Sequence, residues 1–293
     1  MRIGLINAYS TLNLGDAAIY SAFRKLLPGV DLVGCVQDER PDSTLGVTFL
    51  PERPRNCEAY ISVGGDIFNN SREWFVTKAF LMNLAELRHS PRQTFLFGQS
   101  IPRSCHGLSF FLLQRYFKRL AAVCVRDAES HERLCAAGVP ARLSYDIAFV
   151  LESSPLAEVT ARQCLERLAI DPIQAAVLSV RGFDSMYGHD NDAFVTRMAQ
   201  LSDELFAAGL RPIILIQSGA YGSDNDLDVA AAIQARAPDT AILNPFADSP
   251  AVPSWQFAMA LFSLVDIVIA VRFHTAVLSL AAGRVPYHLH YSN

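Results

Sequence analysis

Short apolar runs alternate with longer stretches of helical periodicity along almost the whole chain of 293 residues. Continuous apolar runs fit strands buried on both faces, and the intervening helices fit the crossovers of a parallel sheet. The predicted strands are Arg2–Asn7, Asp31–Val36, Ala59–Val63, Thr94–Phe97, Ala122–Val125, Arg142–Tyr145, Ala176–Val180, Pro212–Ile216, Ala241–Leu243, Ile267–Val271 and Val285–His290. The alternation predicts an α/β fold of doubly wound parallel sheets.

The length predicts two domains, because one hydrophobic core rarely organises this many residues. We expect one Rossmann-type domain over 1–150 and a second over 173–293. The segment 151–172 is richer in polar residues and is interpreted as a linker, within which Val159–Leu168 has the pattern of a connecting helix. Two such domains are expected to face an interdomain cleft at the carboxyl ends of their sheets, where open α/β folds bind ligands.

Composition excludes several classes of protein. An apolar fraction of 51% argues against a disordered chain, and a net charge of -4 provides no basic field for nucleic acid. The six cysteines include no CxxC pair and no zinc-ligand spacing, so we interpret them as reduced and the protein as cytoplasmic. The longest apolar window is too short for a transmembrane segment.

Two polar turns follow predicted strands of the first half. The first contains Asn13, Gly15 and Asp16, and the second contains the run Gly64-Gly65-Asp66. Glycines let a ligand approach the main chain, and a carboxylate accepts hydrogen bonds from sugar hydroxyls. The alternative is structural: Asp16 caps the first helix, and the second turn merely ends a strand.

Two further segments are expected at the same sheet edge. Gln99 follows the fourth predicted strand, and Arg126 with Asp127 follows the fifth. We assign them to the rim of the cleft. Arg126 and Asp127 could instead pair with each other at a helix start, where the carboxylate favours the positive end of the dipole.

The strongest signal is Arg272-Phe273-His274, between a buried strand and a predicted helix. A guanidinium and an imidazole at a helix N-terminus fit an anion site, which Arg181 would approach from the end of another strand. This interpretation requires Arg272 and His274 to face the cleft and not to be buried against carboxylates of the protein. The string Asp224-Asn225-Asp226 is interpreted as a helix cap, not as a metal-binding D-x-D.

Taken in order, these segments resemble the polysaccharide pyruvyl transferase family. The matching pieces are Asn13-x-Gly15-Asp16, Gly64-Gly65-Asp66-Ile67, Gly98-Gln99-Ser100-Ile101, Arg126-Asp127-x-x-Ser130, Asp146-Ile147-Ala148-Phe149, Arg272-Phe273-His274 and Gly283-x-x-Pro286. The resemblance implies a GT-B-like fold and transfer of a pyruvyl group from phosphoenolpyruvate to two hydroxyls of a saccharide. The product would be a pyruvate ketal, in exopolysaccharide or cell-surface polysaccharide biosynthesis.

The resemblance also implies residue roles. Arg272 and His274, with Arg181, would bind the donor, and His274 would be the proton donor because its ordinary pKa lies near neutrality. Asp16 or Asp66 would serve as the base for the acceptor hydroxyl. The reaction needs no redox cofactor, and the sequence shows no metal site.

Two alternatives stay open: a GT-B glycosyltransferase with a nucleotide-sugar donor, and a non-catalytic saccharide-binding protein. Relatives usually continue past the position of Asn293, so we expect a truncated second domain or different interdomain packing. If the acceptor is lipid-linked, the protein is expected at the inner membrane surface. The sequence shows no clearly amphipathic basic helix to hold it there.

Overall fold

The computed structural model describes residues 1–70, 75–183, 190–219, 225–249 and 251–289. Its contacts divide the chain into two units. The first comprises Met1–Ser10 and Ile19–Ile147, and the second comprises Thr11–Ala18 and Ala148–Asn293. The prediction placed the boundary at 150 and all of 1–150 in the first domain; the structure groups Thr11–Ala18 with the second unit.

The first unit contains a seven-stranded parallel sheet in the order β3-β2-β1-β4-β5-β6-β7. Its strands are β1 (Arg2–Ile6), β2 (Asp31–Gly34), β3 (Thr48–Phe49), β4 (Ala59–Ser62), β5 (Thr94–Gln99), β6 (Ala122–Val125) and β7 (Ala141–Leu143). The helices are α1 (Leu14–Leu26), which begins in the second unit, α2 (Lys78–Leu87), α3 (Gly107–Phe117) and α4 (Ala128–Ala136). Right-handed crossovers place α2, α3 and α4 on one face of the sheet, opposite α1.

The second unit contains a five-stranded parallel sheet in the order β10-β9-β8-β11-β12. Its strands are β8 (Ala175–Ser179), β9 (Arg211–Leu215), β10 (Ala241–Leu243), β11 (Ile267–Ala270) and β12 (Tyr287–His288). Its helices are α5 (Pro155–Arg167), α6 (Asn191–Ala207), α7 (Leu227–Arg236), α8 (Pro245–Asp248), α9 (Ser254–Leu264) and α10 (Phe273–Ala281). Both strand orders reverse direction beside the first strand of the sheet, as in Rossmann-type folds.

The predicted strands all have counterparts in the structure, within the described residues. The sequence did not indicate β3 or α8, because two and four residues are too few for a periodic pattern. The predicted linker contains α5, whose Pro155 occupies a first-turn position where its missing N–H costs nothing. This helix packs against α9, so most of 151–172 is an ordered part of the second unit. The predicted end of the last strand, His290, lies outside the described residues.

Candidate functional site

The second sheet reverses its strand order between β8 and β11, which are neighbours. Arg181 lies just beyond the end of β8, and Arg272-Phe273-His274 follow β11 directly. Ligands of open parallel sheets bind at such a point, outside the carboxyl ends of the strands. The fold therefore places all three predicted donor-binding residues at the switch point of one sheet.

Arg272 is buried there in an ion pair, contrary to the requirement that it face the cleft and not lie against a carboxylate of the protein. Its side chain is 6% exposed, and Nη2 lies 2.5 Å from Oδ1 of Asp226, which is fully buried. Nε donates to the same oxygen at 3.1 Å and to the carbonyl of Val180 at 3.2 Å. The main-chain N–H groups of Val271 and Arg272 donate to Ser179 Oγ. Arg272 is thus a buried positive charge that the Asp226 carboxylate balances.

Asp226 is a residue whose role the sequence analysis missed. A helix cap was predicted for the string that ends at Asp226, and Asn225 provides it, since its Oδ1 accepts from Leu227 N at 2.8 Å. Asp226 itself lies at the N-cap position of α7, but its side chain makes no capping hydrogen bond. Oδ2 instead accepts from the main-chain N–H groups of Gln217 (3.1 Å) and Ser218 (2.9 Å). These two bonds orient the carboxylate toward Arg272, 46 residues away in the chain. The only signal in the sequence was an acidic residue after a polar turn, which fits a cap equally well.

His274 lies in the first turn of α10, which begins at Phe273. The ring is half-buried and is held from one side by Gly15. A Cβ atom at position 15 would lie 2.2 Å from Nδ1 of His274, so no larger residue fits without displacing the ring. The ring of the exposed Phe273 is nearly perpendicular to the imidazole, and the two ring centres are 5.4 Å apart. The glycine of one sequence motif therefore makes room for the histidine of another.

The segment Thr11–Ala18 reaches His274 because its main chain pairs with the turn after β9. Asn13 and Ser218 form an antiparallel bridge, Leu14 N donates to Gln217 O, and Gly219 N donates to Leu12 O. Asn13 Oδ1 accepts from the N–H groups of Gly15 and Asp16, at 2.9 and 3.4 Å.

Asn13 is therefore the capping residue of α1, and Asp16, half-buried in the first turn, is not. The prediction that Asp16 could cap this helix was wrong. The structure brings Asn13, Gly15 and Asp16 into the unit that holds His274.

In the first unit, Arg126 links three of the predicted rim segments. Nη1 lies 2.7 Å from Asp146 Oδ2 in a buried ion pair, and Nε donates to Ser100 Oγ at 2.9 Å. A Cβ atom at Gly65 would lie 3.2 Å from Nη2, so glycine lets the guanidinium approach the main chain. Its neighbour Gly64 has a φ of 118°, a conformation that also favours glycine.

The predicted pair between Arg126 and Asp127 does not form. Asp127 instead caps α4: Oδ1 accepts from the N–H of Ser130, and Oδ2 accepts from the Ser130 hydroxyl. Ser130 Oγ in turn accepts from Ile101 N at 2.7 Å, which ties the helix start to the segment after β5. Asp66 is exposed, beyond the end of β4.

Gln99 is fully buried and belongs to a polar chain across three neighbouring strands. Its Nε2 donates to Ser62 Oγ (2.9 Å) and Val63 O (3.2 Å), and Ser62 Oγ donates to Asn7 Oδ1 (2.7 Å). Asn7 has a φ of 55° and ends β1. A register shift at the end of β5, beside Gly98, turns Gln99 toward these partners. The sequence analysis identified Gln99 but missed Asn7 and Ser62, because isolated small polar residues carry no pattern.

Within the described residues, no three His, Cys, Asp or Glu side chains are grouped to hold a metal ion. All six cysteines are free thiols. Burial raises the pKa of Cys105 to about 11. No helix of the described ranges is both long enough and apolar enough to cross a bilayer.

Comparison with solved structures identifies the fold. Anabaena Alr3699/HepE in complex with UDP superposes with a TM-score of 0.52 and 11% identity, over 97% of this chain and 79% of that one. Phytolacca americana UGT2, complexed with UDP-2-fluoro-glucose and pterostilbene, gives a TM-score of 0.51 and 10% identity, over 99% of this chain and 80% of that one. At such identities the likeness concerns the fold alone. The predicted GT-B-like class is confirmed.

Comparison of sequences identifies the family. No curated protein matches the chain. A family model described as polysaccharide pyruvyl transferase matches residues 13–293, nearly the whole chain. Family and fold together indicate a transferase. The matched range starts at Asn13, the residue that caps α1, and includes the sequence motifs described above. The chain therefore belongs to the polysaccharide pyruvyl transferase family.

Proposed function

We propose that this protein transfers a pyruvyl group from phosphoenolpyruvate to two hydroxyls of a saccharide, giving a pyruvate ketal and phosphate. The carrying observation is the position of Arg181, Arg272 and His274 at the switch point of the second sheet, in a chain that the family model matches over 13–293. The acceptor would be an exopolysaccharide or cell-surface polysaccharide unit. When that unit is lipid-linked, the reaction would take place at the inner membrane surface.

The donor carries a phosphate and a carboxylate, so its site needs fixed positive charge. Arg272 is buried and paired with Asp226, so it would reach the donor only if that pair opened; as it stands, the pair fixes the residues that precede α10. The half-buried Arg181 supplies the second guanidinium of this unit. We therefore propose that Arg181 binds an anionic group of the donor and that Arg272 acts by positioning the start of α10.

His274 is the proposed acid. It would deliver a proton to the methylene carbon of phosphoenolpyruvate, which leaves an oxocarbenium-like centre at the adjacent carbon. One acceptor oxygen bonds to that carbon, the bond to the phosphate oxygen breaks, and the second acceptor oxygen takes its place. A base, for which Asp16 or Asp66 is proposed, accepts the two hydroxyl protons one after the other. One of them restores the acid form of His274, and the other leaves with phosphate. Asp16 has the stronger support, because it follows Gly15, which contacts His274 in the same unit.

The test is mass spectrometry of saccharides incubated with the protein and phosphoenolpyruvate, with phosphate release measured in parallel. We expect a product heavier by one pyruvate less one water, and equimolar phosphate. His274→Gln should reduce turnover at least about a hundredfold, since general acid catalysis contributes that much or more. His89→Gln, a change of an exposed histidine in the other unit, is the matched control and should leave turnover unchanged.

Thermal-shift measurements separate this proposal from the alternatives. A ligand that binds only the native state raises Tm, so phosphoenolpyruvate should stabilise the protein. Stabilisation by UDP or UDP-sugars, without any by phosphoenolpyruvate, would replace the proposal with a glycosyltransferase. No stabilisation by any of these ligands, together with no product, would indicate a non-catalytic saccharide-binding protein.

A further inference from the structure

Basic residues are segregated within this acidic chain. The forty residues from Leu87 to Arg126 contain seven arginines and lysines and no aspartate or glutamate, although the net charge of the whole chain is -4. Arg103 and Arg126 of this stretch pair with Glu129 and Asp146. The remaining five are exposed around the ends of α2 and α3: Arg88, Arg92, Arg115, Lys118 and Arg119.

Large apolar side chains lie exposed on the same two helices and, in the case of Phe75, just before α2. Met82 is 59% exposed, Leu108 58% and Phe111 51%, and Phe75 and Leu81 are exposed to a similar degree. The inner faces of α2 and α3 share one core cluster, and the two helices pack side by side. Their outer faces therefore form a continuous surface, which we call the α2–α3 patch: Phe75, Leu81, Met82, Leu108, Phe111, Arg115 and Lys118.

The patch has a regular order along α3. Leu108, Phe111, Arg115 and Lys118 are separated by three, four and three residues, which places them in one row along the helix. The Arg115 guanidinium lies 5.8 Å from the centre of the Phe111 ring. Both helices follow the carboxyl ends of their strands, so their apolar N-terminal halves lie toward the sheet edge that carries Gln99 and Gly65. The basic residues lie toward the opposite edge.

We infer that the α2–α3 patch binds the surface of an anionic lipid bilayer. Interfacial helices combine exposed aliphatic and aromatic side chains with lysine and arginine. The apolar side chains insert into the bilayer, and the basic side chains pair with anionic headgroups. The outward faces of two packed helices together form a contact area broad enough for the flat surface of a bilayer. The five exposed arginines and lysines that lie outside the two ion pairs carry charge of one sign, as attraction to anionic headgroups requires. The proposed function supplies the reason for such a surface, a lipid-linked acceptor, but the inference stands on exposure and charge.

The test is co-sedimentation of the full chain with vesicles, without donor or acceptor. One vesicle preparation is pure phosphatidylcholine, and the other contains one part phosphatidylglycerol to two parts phosphatidylcholine. We expect binding to the second preparation that weakens as salt is raised, because salt screens exposed charges. Since one basic residue contributes about fivefold in partitioning, Arg115→Glu with Lys118→Glu should weaken binding at least about twentyfold. Arg162→Glu with Arg197→Glu, the same charge change on exposed residues of the second unit, should bind as the wild type does.

A second pair of variants tests the apolar half. Leu108→Ser with Phe111→Ser should also weaken binding, whereas Leu156→Ser with Val159→Ser, at the same spacing on exposed positions of α5, should not. All four side chains are about half exposed, so these substitutions should change Tm little. A large fall in Tm would therefore identify a variant that binds poorly because it is misfolded.

Equal binding to both vesicle preparations, or equal binding by patch and control variants, would overturn the inference. So would a wild-type protein that remains in the supernatant. If the patch variants instead abolish self-association seen in sedimentation velocity, the surface joins two copies and the bilayer assignment is wrong. Failure of the pyruvyl transfer assay leaves these outcomes unaffected, because no step of the vesicle experiment needs turnover.

Discussion

A glycine makes the position of an imidazole possible in this protein. Gly15 has an ordinary backbone conformation, so its requirement is one of space: the His274 ring occupies the place of its Cβ. The first unit has a milder counterpart, in which the Arg126 guanidinium lies over Gly65. In each case a glycine from one sequence motif is explained by a nitrogen-bearing side chain from another.

The substitution Gly15→Ala tests whether the position of the His274 ring depends on the space that Gly15 leaves. The added methyl group would displace His274, and a shift of about 1 Å in a catalytic group can cost about a hundredfold in rate. We expect phosphate release from phosphoenolpyruvate to fall by about that factor while the protein stays folded. Gly219→Ala is the matched control, because its Cβ would meet only Phe246 at an ordinary 3.7 Å. Equal activity of the two variants would contradict the proposed role of His274.

Between elements, the Arg272–Asp226 pair joins the end of β11 to the start of α7. Burying two charges is costly, and removing one partner leaves the other uncompensated, at a cost of about 3–5 kcal/mol. Asp226 also holds two main-chain N–H groups, so it connects the turn after β9 to the same point. A loss of activity on changing Arg272 therefore needs a stability measurement beside it.

A double-mutant cycle in urea measures the strength of this connection. Asp226→Asn keeps an oxygen for the main-chain donors but leaves Arg272 unbalanced, and it should lower the free energy of unfolding by about 3–5 kcal/mol. Adding Arg272→Met should cost much less than it does in the wild-type background. The same cycle on the exposed pair Asp192–Arg236 should give a coupling below about 1 kcal/mol. Similar couplings at the two pairs would show that burial does not strengthen the first.

Sequence reasoning succeeded where the cause is local. Strands buried on both faces are continuous apolar runs, so their positions, the parallel sheets and the residues at their ends could be predicted. Sequence reasoning failed where the partner of a charged side chain lies far away in the sequence. Arg126 pairs with Asp146 and not with the adjacent Asp127, and Arg272 finds Asp226. No spacing rule predicts such choices, because they depend on which carboxylate the fold brings near.

At the scale of the whole molecule, the free energy of unfolding should depend on pH through one thiol that is buried in the first unit, that of Cys105. Burial raises the pKa of Cys105 from 9.0 to about 11, since the thiolate is poorly solvated there. The native state therefore retains this proton after the unfolded chain has lost it. The stabilisation is fully present below pH 9 and is lost as the pH rises toward 11, by roughly 2–3 kcal/mol in total.

Urea unfolding across this pH range checks the expectation. Cys105→Ala should lose part of the decline in stability between pH 9 and 11, whatever its stability at lower pH. Cys135→Ala removes an exposed thiol and should retain the wild-type decline. Parallel curves for the two variants would show that the Cys105 thiol does not couple to folding.

The excursion of Thr11–Ala18 limits how this protein can exchange parts with its relatives. Consider a hybrid in which residues 1–147 come from a relative and the rest from this chain. Its segment at Thr11–Ala18 would then come from the relative, but would have to pair with this chain's residues after β9. The bonds from Leu14 to Gln217 and from Gly219 to Leu12 are main-chain bonds, which almost any sequence can reproduce. The space beside His274 is different, since only a glycine leaves it open. Such a hybrid is therefore expected to keep His274 in place only if the incoming first unit has a glycine at the position of Gly15.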